Sequence, residues 1–400
     1  MASQCQAGRW DVELAVALDA VWAASRICRD VQAKISADVF EKEDRSPVTV
    51  ADFASQAAIC RLVGDAFPRD PIIGEEESGA LRRQENGPFL ERVLDELRAM
   101  GVEASGEQAC DWIDRGCQKN FAPRFWTLDP IDGTKGFLRR EQYAVSLALI
   151  IDGRIEVALL GCPNLGVEGG AASATLSHSD GRGQGEGSSG SSRETQRQRS
   201  PRPSPARLSS PKSGGPGEGE FGATGAIFYA TRGGGAWVVP LDDPAAPPAR
   251  IHCSHQANAA ESRFCESVES SHTSTSLAAR VAQSLGIARP PLRMDSQAKY
   301  AIVARGDAEI YMRLPAKYDY KEKIWDHAGG VLVVEEAGGV VSDVEGRPLE
   351  FNHGYQLEAN RGIIAANREL HAKVIAALGE IYKTFPAPQG PLPAPGWKPS

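Results

Sequence analysis

The chain has 400 residues, 42% of them hydrophobic, enough to bury a sizeable core and to form two domains. Its formal charge of −8 argues against a nucleic-acid partner, which needs a basic face, but leaves room for a small anionic substrate held through a cation. No apolar run approaches the ~20 residues that span a bilayer, and the N-terminus lacks a basic stretch followed by an apolar one, so a soluble cytoplasmic protein is expected, with an organellar address left open.

From Trp10 to Ile35, apolar residues (Leu14, Leu18, Val21, Cys28, Ile35) recur at helical spacing among Asp11, Glu13, Arg26, Arg29 and Asp30, the pattern of an amphipathic helix. A second helix is predicted from Asp52 to Phe67, closed by Pro68, before Pro71-Ile72-Ile73 runs into Gly74-Glu75-Glu76-Glu77. FWTLDP (125–130) reads as a buried strand with a helix starting after Asp132. YAVSLALIIDGRIEVALLGCP (143–163) reads as two strands around the hairpin dipeptide Asp152-Gly153.

Between Gly169 and Glu220 the composition turns to Gly, Ser, Pro, Arg and Gln, with Leu176 and Leu208 as the large apolar residues. Such a segment cannot offset its ordering entropy by burial, so 164–220 is expected to be a disordered insertion. GAIFYATRGGGAWVV (225–239) predicts two more strands, Pro240 to Pro248 a linker, and the stretches 276–287, 300–314 and 325–341 an alternation of helix and strand in a second, α/β layer. The expected division is an α+β metal-binding domain (1–163 and 221–250), the insertion, an α/β domain (251–385) and a Pro-rich tail (386–400). The eight cysteines show no CxxC pair and no zinc spacing, and are read as reduced thiols; a redox disulfide between Cys110 and Cys117 stays open.

The chemistry concentrates in "LDPIDGTKGF" (128–137), where two carboxylates end one strand. They are either a turn residue and an N-cap or ligands of a divalent cation that relieves their repulsion. Glu75 and Glu76 again follow a short apolar strand, and Asp326 stands at the start of an apolar helix. If these three acidic ends converge, they form the oxygen-rich nest of a multi-metal phosphoryl-transfer site.

With "GEEES" (74–78), "DPIDGT" (129–134), "WDHAGG" (325–330) and "EEAGG" (335–339), the chain resembles the lithium-sensitive, magnesium-dependent phosphatases of the inositol monophosphatase superfamily over nearly all of residues 10–380 except the insertion. Within it, "SPVTVAD" (46–52), "DSQAKY" (295–300) and "EKIWDHAGG" (322–330) are most similar to the 3′(2′),5′-bisphosphate nucleotidase subgroup. The resemblance implies a layered αβαβα fold, an antiparallel-sheet domain and an α/β domain with the active site between them. It implies that Glu75, Asp129, Asp132, Asp326 and the carbonyl of Ile131 hold two to three magnesium ions, while Asp52 and Thr134 hold and activate the attacking water. Taken alone, Asp52 would read as a helix N-cap. Glu76 or Glu77 would tune the field around Glu75.

For the substrate, the resemblance implies contacts from Thr134, Ser271, His272, Ser296 and Lys299; a turn histidine and a solvated lysine are the plainer alternatives for His272 and Lys299. His327 is expected to be structural. The implied protein is a monomer that takes a small nucleotide and neither nucleic acid nor membrane. Its implied reaction is release of the 3′-phosphate of adenosine 3′,5′-bisphosphate, with 3′-phosphoadenosine 5′-phosphosulfate as a further substrate, lithium sensitivity, and a link to sulfur metabolism. An inositol phosphate 1-phosphatase and a catalytically silent nucleotide sensor are the rival expectations.

Overall fold

The computed structural model describes residues 9–34, 40–41, 47–168, 225–243, 245–268, 274–315 and 320–384. Residues 169–220 of the expected insertion, the two candidate residues Ser271 and His272, and the Pro-rich tail lie outside the described residues. Residues 164–168 of that expected insertion are described and packed: the Asn164 side chain donates to Gln32 Oε1 at 3.1 Å and to the Glu141 carbonyl at 2.6 Å.

Helix α1 (Asp11–Lys34) forms where the periodicity predicts it, with Asp11 and Glu13 in its first turn and Lys34 in its last, each charge opposing the helix dipole. After a small antiparallel pair, β1 (Phe40–Glu41) with β2 (Pro47–Val48), helix α2 runs from Val50 to Ala66. It starts before Asp52 because Thr49 is the N-cap and Asp52 the N3 acid of a capping box.

The larger sheet takes its strands in chain order: β3 (Ile72–Gly74), β4 (Arg124–Asp132), β5 (Ala144–Ile151), β6 (Arg154–Cys162), β7 (Ala226–Thr231), β8 (Gly235–Pro240) and β9 (Ala249–Ile251). All neighbours are antiparallel except β3 and β4. At the β5–β6 turn Asp152 and Gly153 take φ of 49° and 78°, the left-handed pair that a two-residue hairpin of native twist requires. Helices α3 (Gly87–Ala99) and α4 (Gly106–Asp114), absent from the elements predicted above although Pro88 and the capping pair Ser105/Gln108 mark their starts, pack against α2. A short α5 (Thr134–Leu138) follows β4.

The second sheet has the order β11 (Leu292–Arg293), β10 (Phe264–Glu266), β12 (Ile310–Arg313), β14 (Ile363–Ala366), β13 (Val340–Ser342). Helices α6 (Thr275–Leu285) and α9 (Arg368–Thr384) cover its outer face, while α7 (Ala298–Arg305) and α8 (Ala328–Glu336) lie between the two sheets. Alternate residues of β5 show the layering: Leu147 and Leu149 join the core under α1 and α2, whereas Ala148 and Ile150 join the core under α7 and α8. The result is the five-layer αβαβα arrangement anticipated from the sequence. Because both faces of the large sheet are covered, its central strands read as continuous apolar runs.

The glycine pair of "WDHAGG" explains how α8 fits between its neighbours. A Cβ at Gly329 would fall 2.4 Å from Ser146 Oγ and 2.9 Å from the Leu159 carbonyl oxygen, and one at Gly330 would fall 2.2 Å from the Tyr300 ring. Among the described residues the cysteines, Cys110 and Cys117 included, are free thiols. No helix of the described residues is long and apolar enough to cross a membrane.

Gly330→Ala is expected to lower the unfolding free energy by about 1–3 kcal/mol through overpacking. Gly379→Ala on α9, where nothing lies within 4 Å of the added methyl, should raise it by about 0.5–1 kcal/mol through helix propensity. Urea unfolding of both variants checks this, and equal midpoints would refute the close packing of α8.

Candidate active site

Asp129 and Asp132 are three residues apart, so in a regular strand they would point to opposite faces of the sheet. The ladder shows why they do not: Asp129 pairs with Ser146 and Asp132 with Ala144, so three steps on β4 match two on β5. This extra residue is a β-bulge, and it restores the parity that puts both carboxylates on one side. Pro130, which has no N–H to give to the ladder, sits inside it. Its carbonyl accepts from Ser55 Oγ at 3.2 Å, and Asp129 Oδ1 accepts from the Ile131 N–H at 3.0 Å. Gly133 then leaves the strand at φ 87°, where a Cβ would also meet Ser296 Cβ at 2.9 Å.

The other acids arrive from three further elements. Strand β3 lies parallel to β4 with Gly74 beside Leu128, so Glu75 emerges next to Asp129. Gln56 on α2 fixes that strand end: its Oε1 accepts from the Glu76 N–H at 3.0 Å and its Nε2 donates to the Glu76 carbonyl at 2.6 Å. Asp326 ends a 3-10 turn (Ile324–Asp326) that packs against β4 and β5 just before α8. Asp52, 1% exposed, approaches from the first turn of α2, its Oδ2 accepting from the Thr49 N–H at 2.7 Å and the Thr49 hydroxyl at 2.6 Å. Asp52 is thus a helix-start residue as well as a neighbour of the acid cluster. Thr134 donates its hydroxyl to the Ile131 carbonyl at 3.3 Å. Glu76 is buried and Glu77 is exposed, paired with Lys119 at 2.9 Å.

Convergence shows in the electrostatics. Burial first, and then the charges of Glu75, Asp132, Asp326 and Asp52, hold the Asp129 carboxyl well above the usual range. Burial raises Asp132 too, with Lys299 and Arg313 opposing the rise. Asp326 is pushed up to about 7 by burial, opposed by Arg313 and reinforced by Asp132 and Glu75. Such a set, all oxygen donors and short of positive charge, fits a hard divalent cation of the magnesium class better than a thiophilic metal. Glu322, Asp326 and His327 also offer ligand atoms within 4.8 Å of one another. That trio already holds a cation, because the Arg313 guanidinium lies 2.8 Å from Glu322 and 3.3 Å from Asp326.

On the substrate side, Ser296 is 7% exposed and adopts φ 71°, a left-handed conformation that costs a serine free energy and is met mostly at functional sites. Its Oγ accepts from the Ala298 N–H at 3.1 Å. Lys299 is not a solvated lysine: it is 3% exposed, its ammonium donates to the Met294 carbonyl at 3.2 Å and lies 5.4 Å from the Tyr311 ring centroid. Burial lowers its pKa, with Asp132 as the largest opposing charge. His327 is fully buried and hydrogen-bonded to Tyr300, a structural role as expected.

Three residues of the site escaped sequence reasoning. Gln297 ties its parts together: its N–H donates to Asp132 at 2.7 Å and its Nε2 to the Trp325 carbonyl at 2.9 Å, while its Oε1 accepts from the Gly330 N–H at 3.1 Å. Arg313 ends β12 as the cation beside Asp326, and the half-exposed Tyr320 is its hydrogen-bond partner. An arginine closing the apolar strand IYMR was the available signal for the second and membership of the DSQAKY stretch for the first; nothing local marks Tyr320.

The chain matches the family model described as "Inositol monophosphatase family" over residues 10–383. A 3′(2′),5′-bisphosphate nucleotidase of Schizosaccharomyces pombe is 39% identical over 94% of this chain and 98% of its own length. One from Oryza sativa is 36% identical over 98% of this chain and 100% of its own. Among solved structures, an IMPase of Thermotoga maritima aligns with a TM-score of 0.56 at 16% identity, covering 93% of this chain and 98% of that one, and an inositol monophosphatase from Anabaena with 0.53 at 18%, covering 93% and 97%. These two establish likeness of fold.

A carboxyl whose folded-state pKa is raised keeps a proton that the unfolded chain has already released. With metal chelated away, the protein should therefore lose stability as pH rises from about 4 to about 7, the window set by Asp326. Added magnesium should raise the Tm at pH 8 by about 2–4 °C for each kcal/mol of linked binding, and far less at pH 4.5. Thermal scans with chelator and with magnesium at both pH values test this; a shift as large at pH 4.5 as at pH 8 would refute the crowding of acids.

Proposed function

The chain belongs to the inositol monophosphatase family, and on that premise we propose that it hydrolyses the 3′-phosphate of adenosine 3′,5′-bisphosphate to AMP and phosphate, with the 5′-phosphosulfate analogue as a further substrate. The observation that carries this reading is the gathering of Glu75, Asp132, Asp326 and Asp52 around the buried Asp129, in a chain whose 34–39% identical relatives are named as bisphosphate nucleotidases.

In this reading Glu75, Asp129, Asp132, Asp326 and the Ile131 carbonyl hold two to three magnesium ions. When bound, the ions supply the positive charge that a phosphoryl transfer needs and lower the pKa of water. Thr134 is anchored through the Ile131 carbonyl and orients the attacking water along the line to phosphorus. Asp52, locked by two hydrogen bonds from Thr49, takes one proton of the water as the oxygen–phosphorus bond forms and the bond to the ribose 3′-oxygen breaks, and the departing oxygen takes a proton from solvent to become the 3′-hydroxyl of AMP. Lys299 and Arg313, opposing charges to the acids around them, meet the oxygens of the substrate's phosphates. Ser296 contributes a further contact, and Ser271 and His272 complete the proposed nucleotide site. The family setting supports a small phosphorylated molecule as substrate. We take the protein to act as a cytoplasmic monomer, with 1–163 and 221–250 supplying Glu75, Asp129, Ile131 and Asp132 to the ions and 251–385 supplying Asp326 and most of the nucleotide contacts.

Phosphate release from adenosine 3′,5′-bisphosphate, inositol 1-phosphate and inositol 1,4-bisphosphate, each with magnesium and with or without lithium, tests the reading. Preference for the nucleotide with lithium inhibition is expected. Release from the inositol phosphates alone would overturn the nucleotide assignment, and tight nucleotide binding without release would point to a sensor. Asp52→Asn should lower kcat by about 10²–10⁴ with KM nearly unchanged; wild-type turnover in that variant would remove Asp52 from the proton transfer.

A further inference from the structure

A buried chain of polar contacts runs from the layer between the sheets to the acid cluster. The Tyr300 hydroxyl lies 2.8 Å from Nδ1 of His327, and Nε2 of His327 lies 3.3 Å from Oε2 of Glu322. The same glutamate oxygen stands 2.8 Å from Nε of Arg313, whose Nη2 reaches Asp326 Oδ2 at 3.3 Å. Tyr300 and His327 are fully buried and Glu322 is 5% exposed. An ionised carboxylate only accepts, so Nε2–H of His327 donates to Glu322 while Nδ1 shares a hydrogen bond with the Tyr300 hydroxyl. The Glu322 backbone is fixed as well, its carbonyl accepting from the Leu357 N–H at 2.9 Å.

Arginine carries a long side chain with much rotamer freedom, and an unrestrained guanidinium beside Asp326 would face that carboxylate with both of its terminal nitrogens. The ion pair at Nε restrains the side chain from behind while Nη2 stays on Asp326. Glu322 and Arg313 attract one another, while the acid's charge opposes an anion brought to the same arginine; removing that charge therefore sets the two effects against each other.

We propose that Glu322 is a positioning residue for substrate: braced by His327 and Tyr300, it clamps Arg313 so that the guanidinium meets a phosphate lying over the acid cluster. The inference rests on the phosphate-binding reading of the site given above. Its sign separates it from simple proximity. If Glu322 is only a nearby negative charge, Glu322→Gln removes repulsion and tightens phosphate binding; if it positions Arg313, the same change loosens it.

The test is a calorimetric titration of inorganic phosphate into the full chain in magnesium buffer, comparing the parent with Glu322→Gln and Tyr300→Phe. The expected result is binding about tenfold weaker for Glu322→Gln, the usual scale for an outer partner of a site, and about two- to threefold weaker for Tyr300→Phe. KM for the bisphosphate should rise in the same proportion while kcat falls by less. Unchanged or tighter phosphate binding in either variant overturns the proposal. Should Glu322→Gln fail to fold, Tyr300→Phe decides alone, since it deletes one oxygen and keeps the ring against Tyr311. The titration needs no turnover, so a parent that binds phosphate but leaves the nucleotide intact would fail the substrate reading while still deciding this one.

Discussion

Mutual repulsion among five carboxylates governs the architecture of this site. Asp129 lies buried within the field of Glu75, Asp132, Asp326 and Asp52, an arrangement that a protein sustains only when fixed donors and cations share the charge. The surrounding contacts do that at the level of individual atoms: the Thr49 N–H and hydroxyl face Asp52, the Ile131 N–H faces Asp129, and the Gln297 N–H faces Asp132. The bulge around Pro130 belongs to the same solution, since without its extra residue one of the two β4 aspartates would point into the opposite layer.

The two sheets contribute opposite charges. Glu75, Asp129 and Asp132 leave the ends of β3 and β4 in the large sheet, while Lys299 starts α7 and Arg313 ends β12 of the small one. Helix α8 and the turn before it join them, and the helix can lie close to both because Gly329 and Gly330 admit Ser146 and Tyr300 where any larger residue would collide. Inter-sheet packing and charge complementarity are therefore one structural problem. A shift of α8 by a fraction of an ångström moves Asp326, the Gln297 contacts and the Tyr300–His327 pair together.

This coupling also bears on substrate choice. In the proposed function the acid cluster provides chemistry that any phosphate ester can use, whereas Arg313, Lys299 and Ser296 would decide what else the substrate must carry. All three stand on or beside the short elements between the sheets, and Ser296 holds a strained backbone there. On that proposal, specificity rests on side chains whose orientation depends on packing between the elements.

Much of this was legible in the sequence. Periodicity located α1, the Asp-Gly dipeptide fixed the β5–β6 hairpin, and the placement of Glu75, Asp129, Asp132 and Asp326 at strand ends and a helix start announced a gathering of acids, because turn geometry and like-charge repulsion are local properties. Other features depended on residues far apart in the chain. Lys299 reads as a solvated lysine until α7 is buried between two sheets, and Asp52 reads as a cap until β4 is laid against α2. Gln297 and Glu322 lie inside DSQAKY and EKIWDHAGG but stand out there from none of their neighbours; like Arg313, they acquire their roles from partners 5 to 165 positions away. The sequence by itself determined which residues could bear charge at the ends of elements. Only the tertiary structure decided which of those charges share one field, because Coulomb interaction and desolvation depend on distance and burial in space rather than on separation along the chain.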